Sequence, residues 1–210
     1  MTAGRTCAAI AGAFIVLATL SACTASSPNP VSPDEAPSAP TTTTRVPRLV
    51  DESDRPLVAF DPCLDIPDDV LAAAGYDPNS EDNADFAATH YTMLGCSYDG
   101  TLKIPGVAAY GLTVMSANFD WAVELQKSAD NGDEVVRTDV ADRRALLKTN
   151  QSLPESCDMS VETSYGVLLF GLVLFGMGGA RVPEAQWCTG LEDTAERIVT
   201  VLDDFESRTR

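Results

Sequence analysis

The chain has 210 residues, with 31 acidic side chains against 14 basic ones, a formal net charge of −17 and a single histidine. That surplus of negative charge repels phosphate backbones and anionic headgroups, which excludes nucleic acid as a partner. The length suits one domain with its own core once the non-globular ends are set aside.

The chain opens with a short run from Ala8 to Leu20 that is almost wholly apolar, followed by Leu20-Ser21-Ala22-Cys23. A short apolar region before small residues reads as a secretory signal, here residues 1–22. The run from Cys7 to Ala22 is too short to span a bilayer, which needs roughly 20 apolar residues. Leu-Ser-Ala-Cys resembles the bacterial lipobox. That resemblance implies diacylglyceryl transfer to the Cys23 thiol, cleavage before it, and a protein held by lipid on the extracytoplasmic face of the cell membrane.

Residues 23–56 carry Pro28, Pro30, Pro33, Pro37, Pro40, Pro47 and Pro56 among Ser, Thr and Ala. A segment so poor in large apolar residues cannot offset its chain entropy, so a disordered, partly extended tether is expected there. The globular domain is then residues 57–210.

Phe60-Asp61-Pro62-Cys63 opens the domain. Asp65 to Asp69 reads as a helix start, with a capping acid and Pro in the first turn; Val70, Leu71 and Ala74 continue at helical spacing and Gly75 stops it. Asp77 to Asp85 alternates acids and amides like a calcium loop. Asp82 stands where that loop needs Gly and Ala88 where it needs the bidentate Glu, so a plain surface loop is expected. A strand from Thr89 to Tyr98 follows, and the lone His90 within it reads as structural. Gly95-Cys96-Ser97-Tyr98-Asp99 misses the last Gly of a nucleophile elbow, and no helix follows.

Val107 to Ser116 has strand periodicity. Asn118 can cap a helix from Phe119 to about Ala129 with Phe119, Ala122 and Val123 inward, closed by Asn131-Gly132. Glu134–Thr138 and Arg144–Thr149 read as strands around the turn Ala141-Asp142-Arg143. The doublet Arg143-Arg144 is a candidate for an anionic ligand, with solvated arginines as the plainer reading. Cys157, Met159, Val161 and Thr163 alternate with polar residues, a half-buried strand. Val167 to Phe175 is apolar on both faces and is expected as a central strand covered on both sides. A last helix is expected from Val182-Pro183-Glu184, carrying the stripe Leu191, Ala195, Ile198, Leu202 and Phe205.

After Cys23, four cysteines remain: Cys63, Cys96, Cys157 and Cys188. An even count in an exported chain implies disulfides, and four cysteines allow three connectivities. The sequential pairing Cys63–Cys96 and Cys157–Cys188 is favoured. Zinc is disfavoured because no Cys-x-x-Cys occurs and His90 is the single histidine.

The layout of lipobox, Pro/Thr stalk, Asp61-Pro62-Cys63, Gly95-Cys96-Ser97-Tyr98, Cys157 and Cys188 resembles an actinobacterial envelope lipoprotein family known only as a domain of unknown function. The resemblance runs from about Phe60 to Phe205, with Tyr98 where Trp is common. It implies paired cysteines and carries over no catalytic residue. The order of elements is also similar to the α/β/α sandwiches of the Mog1/PsbP type, an analogy of fold alone.

The expected fold is α+β: an antiparallel sheet of five or six strands with packed helices. The expected function is a non-enzymatic, membrane-anchored binding or accessory module with no cofactor, no metal and no catalytic residue assigned. Its partner is a small apolar ligand or an envelope protein; Val167–Phe175 with Phe119 and Trp121 are candidates to line a ligand cavity, with core packing as the plainer reading. An envelope hydrolase with an unpatterned site is the alternative.

Overall fold

The computed structural model describes residues 47–209; the signal, Cys23 and most of the expected tether lie outside the described residues. Eight strands form one antiparallel sheet: β1 (Asp82–Asn83), β2 (Phe86–Ala88), β3 (Tyr91–Asp99), β4 (Val107–Ala117), β5 (Glu134–Val140), β6 (Arg143–Thr149), β7 (Ser156–Glu162) and β8 (Val167–Gly176). The order across the sheet is β1-β3-β4-β8-β7-β6-β5, with β2 also on β3. Four helices accompany it: α1 (Pro62–Asp65), α2 (Asp68–Ala74), α3 (Trp121–Asn131) and α4 (Leu191–Thr209). The α+β class holds. The sheet exceeds five or six strands because β1, a short acidic piece expected as loop, and β2, an alanine-rich piece between that loop and the expected strand, pair with successive parts of β3.

Alternation along β8 divides the core in two. Leu168, Phe170, Leu172 and Leu174 join the main core with Leu112, Val114, Met159 and Val161. The stripe of α4 closes this face: Leu191, Ala195, Ile198 and Leu202 are buried, and Phe205 meets Phe60 edge-on at 5.6 Å. On the other face, Val167 packs with Ala117 and Phe119, flanked by Leu169 and Trp121 at the start of α3. Further along that face Val173 and Phe175 are 43% and 57% exposed. Thus β8 is central in pairing, between β4 and β7, but its second face is covered only at one end.

Both disulfides form with the sequential pairing, Cys63–Cys96 and Cys157–Cys188, with Cα atoms 5.4 and 5.1 Å apart. The first ties α1 to β3; the second ties β7 to the segment just before α4. Disulfides of this kind belong to a chain that folds in an oxidising, extracytoplasmic compartment.

Several local expectations change. Asp61, not Asp65, is the capping acid, accepting from the Cys63 amide at the start of α1; α2 has Pro67 before it and no side-chain cap. Gly75 does end α2, at φ +91°, a conformation costly for any residue with a Cβ. Asp120 caps α3, while Asn118 bridges two segments: its Oδ1 accepts from the Thr92 amide and its Nδ2 donates to Asp51. Ala122 is exposed, and α3 turns Glu124 and Ser128 inward in its place. The last helix begins at Leu191. Val182–Gly190 forms a separate corner in which the Trp187 indole donates to the Val182 carbonyl at 3.0 Å.

Residues expected at the end of the tether are held to the domain. Arg48 bonds Asp61 and Asp85, and Asp51 accepts from Thr92 and Asn118. The packed domain therefore takes in chain from Arg48 onward.

Candidate functional site

Register decides what stands under α3. On the face away from α4, one row of side chains crosses the sheet as Lys148, Asp158, Gly171 and Thr113, each directly opposite the next. The neighbouring row brings Leu146, Ser160, Leu169 and Met115 together. Gly171 has no side chain to fill its place, and a Cβ there would stand 3.2 Å from Asp158 Oδ1. Glu124 and Ser128, one helical turn apart, point down from α3 onto these rows.

Glu124 is 2% exposed and its Oε1 accepts from both Lys148 Nζ at 2.6 Å and Ser160 Oγ at 2.5 Å. The ion pair is buried on both sides, so the polar cluster is a specific arrangement and not surface decoration. Beside it lies a cavity of about 170 Å³, lined by Glu124, Lys127, Ser128, Lys148, Asp158 and Gly171 with apolar walls from Met115 and Leu169.

Two polar groups at this cavity are left over. Ser128 is 2% exposed, and its hydroxyl has no hydrogen-bond partner among the described residues. The Asp158 carboxylate likewise shows no hydrogen bond or ion pair among them, because Lys148, directly across the sheet, turns its ammonium to Glu124. Burial pushes the Asp158 pKa above the usual carboxylate range; Glu124 and Asp133 add to the shift and Lys148 opposes it. Lys127 lies over the rings of Phe119 and Tyr91 at 4.3 and 4.7 Å from their centres. The cavity thus holds satisfied charges plus one hydroxyl and one carboxylate that are not satisfied, an arrangement suited to a ligand that donates hydrogen bonds.

A wider groove of about 580 Å³ runs between α2 and α4, lined by Val70, Ala73, Arg197 and Val201. It is larger, but neither of the buried unpaired side-chain atoms found among the described residues lines it.

The family described as "Protein of unknown function (DUF3558)" matches residues 18–200. The chain belongs to this family. The matched stretch takes in Cys23, all four disulfide cysteines and every residue of the α3 cavity. No curated protein and no solved structure matches the chain, so the Mog1/PsbP likeness stays an analogy.

The other residues singled out in the sequence are dispersed. His90 is exposed in the turn before β3, with its carbonyl accepting from Arg55. The arginine doublet is consumed by carboxylates: Arg143 bonds Asp203 and Glu206, and Arg144 bonds Glu162 and lies over Trp121. Glu81 approaches Cys63 and Cys96, but the sulfurs are bonded to each other and offer no thiolate to a metal. Of the apolar candidates for a ligand cavity, Leu169 and Phe170 line one, while Phe119 is buried in the smaller core, the plainer reading, and Trp121 stands over a separate groove with Arg137 and Arg144. Glu124, Ser128, Lys148, Asp158 and Ser160 were not candidates on sequence grounds. The available signals were the four-residue spacing of Glu124 and Ser128 and the shared parity of Asp158 and Ser160, which read equally well as a solvated face.

Proposed function

We propose that this protein is a lipoprotein of the actinobacterial envelope type, anchored by lipid on Cys23 to the extracytoplasmic face of the membrane, and that its domain is a non-enzymatic binding module. Residues 24–46 serve as the stalk between anchor and domain. The lipobox residues Leu20 to Cys23 and the two disulfides support the location. The ligand site is the cavity beneath α3, and the observation that carries this reading is the unpartnered Ser128 hydroxyl beside the unpaired Asp158 carboxylate. A buried polar group without a partner costs roughly 1–3 kcal/mol, a cost that a bound ligand removes.

Native mass spectrometry of the mature protein, purified gently from membranes, tests the reading. The expected result is an added mass that leaves on denaturation, together with a lipid-modified Cys23 at the amino terminus. A bare domain in every preparation counts against the binding module; an unmodified Cys23 counts against the anchor.

The hydrolase alternative has one specific observation behind it, the Ser160–Glu124 hydrogen bond at 2.5 Å. In that reading Ser160 is the nucleophile and Glu124 its base. Lys148 holds the same carboxylate oxygen in a buried ion pair, so Glu124 is already engaged as a structural partner, which favours the binding module. Turnover of an ester or amide substrate that disappears in Ser160→Ala would reverse the preference.

A further inference from the structure

The α3 cavity does not end at Gly171. Across the next row of the same face stand Ser156, Val173 and Gly111, and beyond them Phe175 opposite Ala109. Gly111 adds no side chain, so Val173 and Phe175 rise beside a shallow floor, and Met177 follows at 60% exposure. From Gly171 to Phe175 the strand runs roughly 13 Å. This is an apolar lane that starts at the Asp158 carboxylate and runs out along β8 to the open end of the sheet.

Charge separates the groups at the head of the lane. Lys148 is paired with Glu124 at 2.6 Å, and Lys127 is held over two aromatic rings. Among the described residues lining the cavity, Asp158 is the ionisable group left without such a partner. A complementary head is therefore a cation that also donates hydrogen bonds. Ser128 offers a second oxygen to the same head, and the cavity of about 170 Å³ admits a small group but not a bulky one.

We propose that the cavity and the lane form one site for an amphiphile with a primary ammonium head and an alkyl tail. The ammonium sits between Asp158 and Ser128, and the tail lies over Gly111 and Val173 against Phe175. This rests on the binding reading of the same cavity and adds to it the class of ligand. Exposed apolar surface beside an unpaired, half-buried carboxylate is satisfied at both ends by such a molecule, and by neither a simple fatty acid nor a small polar amine.

The test titrates dodecylamine, below its micellar concentration, into the full mature protein by calorimetry, with dodecanoate and propylamine as comparison probes. Dodecylamine is expected to bind one per chain, tighter than dodecanoate by roughly tenfold or more, the scale of a charge-assisted hydrogen bond, and tighter than propylamine through the apolar tail it buries. Asp158→Asn is expected to remove the preference over dodecanoate and leave the preference over propylamine. Gly171→Leu, which fills the cavity without altering charge, is expected to abolish binding. Phe175→Ser, at an exposed position, is expected to weaken dodecylamine several-fold and leave propylamine unchanged; it keeps the test open where a buried variant fails to fold.

Equal affinity for dodecylamine and dodecanoate, or indifference to Asp158→Asn, overturns the ammonium head while leaving the cavity reading intact as long as Gly171→Leu abolishes binding. Indifference to Phe175→Ser overturns the lane. A polypeptide retained on the native protein in place of a small mass overturns the amphiphile. No binding of any probe and no retained mass overturns this inference and the binding module together.

Discussion

Lys148 and Asp158 stand directly opposite each other on β6 and β7, yet the Lys148 ammonium turns to Glu124 on α3 at 2.6 Å. That choice ties the helix to the sheet and leaves Asp158 facing the cavity. It predicts an asymmetry in stability. Lys148→Met alone strands a buried carboxylate and should cost about 3–5 kcal/mol, whereas Lys148→Met with Glu124→Leu should recover most of the loss. Urea denaturation of the two variants measures it; equal destabilisation by both would show that the pair is not what holds α3.

The two disulfides close loops of similar size, with sequence separations of 33 and 31. In the chain-entropy model each should stabilise the fold by about 3–4 kcal/mol. The Cys157–Cys188 bridge also fixes the approach to α4, which covers the main core. Paired Cys→Ser replacement of either bridge should lower the thermal midpoint by similar amounts, and a change confined to one bridge would contradict the entropic account.

Strong acid should loosen the segment around Asp51. Burial opposes the charge on Asp51, but hydrogen bonds from Ser53, Asn118 and Thr92 outweigh it and hold the pKa well below the usual carboxylate range. The folded value lies below the unfolded one of about 3.9, so the stabilisation is complete above that pH and is lost as pH falls through the folded value. Glu206 acts in the same sense: burial opposes its charge, and Arg143 and Ser164 prevail. Asp51→Asn should therefore flatten the acid limb of the stability profile without abolishing it. The Thr92 amide, held by Asn118, should lose exchange protection over the same range. An unchanged acid midpoint in Asp51→Asn would contradict this.

Gly166 sits where β8 begins, against the end of β4. A Cβ there would stand 2.0 Å from the Ala117 carbonyl oxygen, a backbone atom that cannot swing aside. Gly166→Ala should destabilise by about 1–3 kcal/mol, the usual cost of overpacking. A melting curve superimposing on that of the wild type would show that the hairpin shifts freely.

The features legible in the sequence were those with their own periodicity. The stripe from Leu191 to Phe205, the alternation through Cys157–Val161 and the Ala141-Asp142 turn, where both residues take positive φ, each declare themselves within a few residues. Compartment and the even cysteine count implied two disulfides, while the sequential pairing was one favoured choice among three that the structure selects. β1 and β2 did not declare themselves, because edge pieces such as Asp82-Asn83 owe their pairing to β3 and not to intrinsic preference. Asn118 and Asp120 are both good caps, and only the demand of Thr92 and Asp51 for an amide separates them. The site was hidden for a related reason. Lys148, Asp158, Gly171 and Glu124 lie on four elements, and what joins them is cross-strand register, which single-segment patterns do not encode.

The most direct measurement is a crystal structure of the protein purified from its own membranes without harsh detergent. The account predicts density for an organic molecule in the cavity beneath α3, with a donor atom about 2.7–3.2 Å from Asp158 and apolar atoms running over Val173 towards Phe175. A closed cavity, with Ser128 and Asp158 bonded to protein groups and nothing between α3 and Gly171, would contradict it.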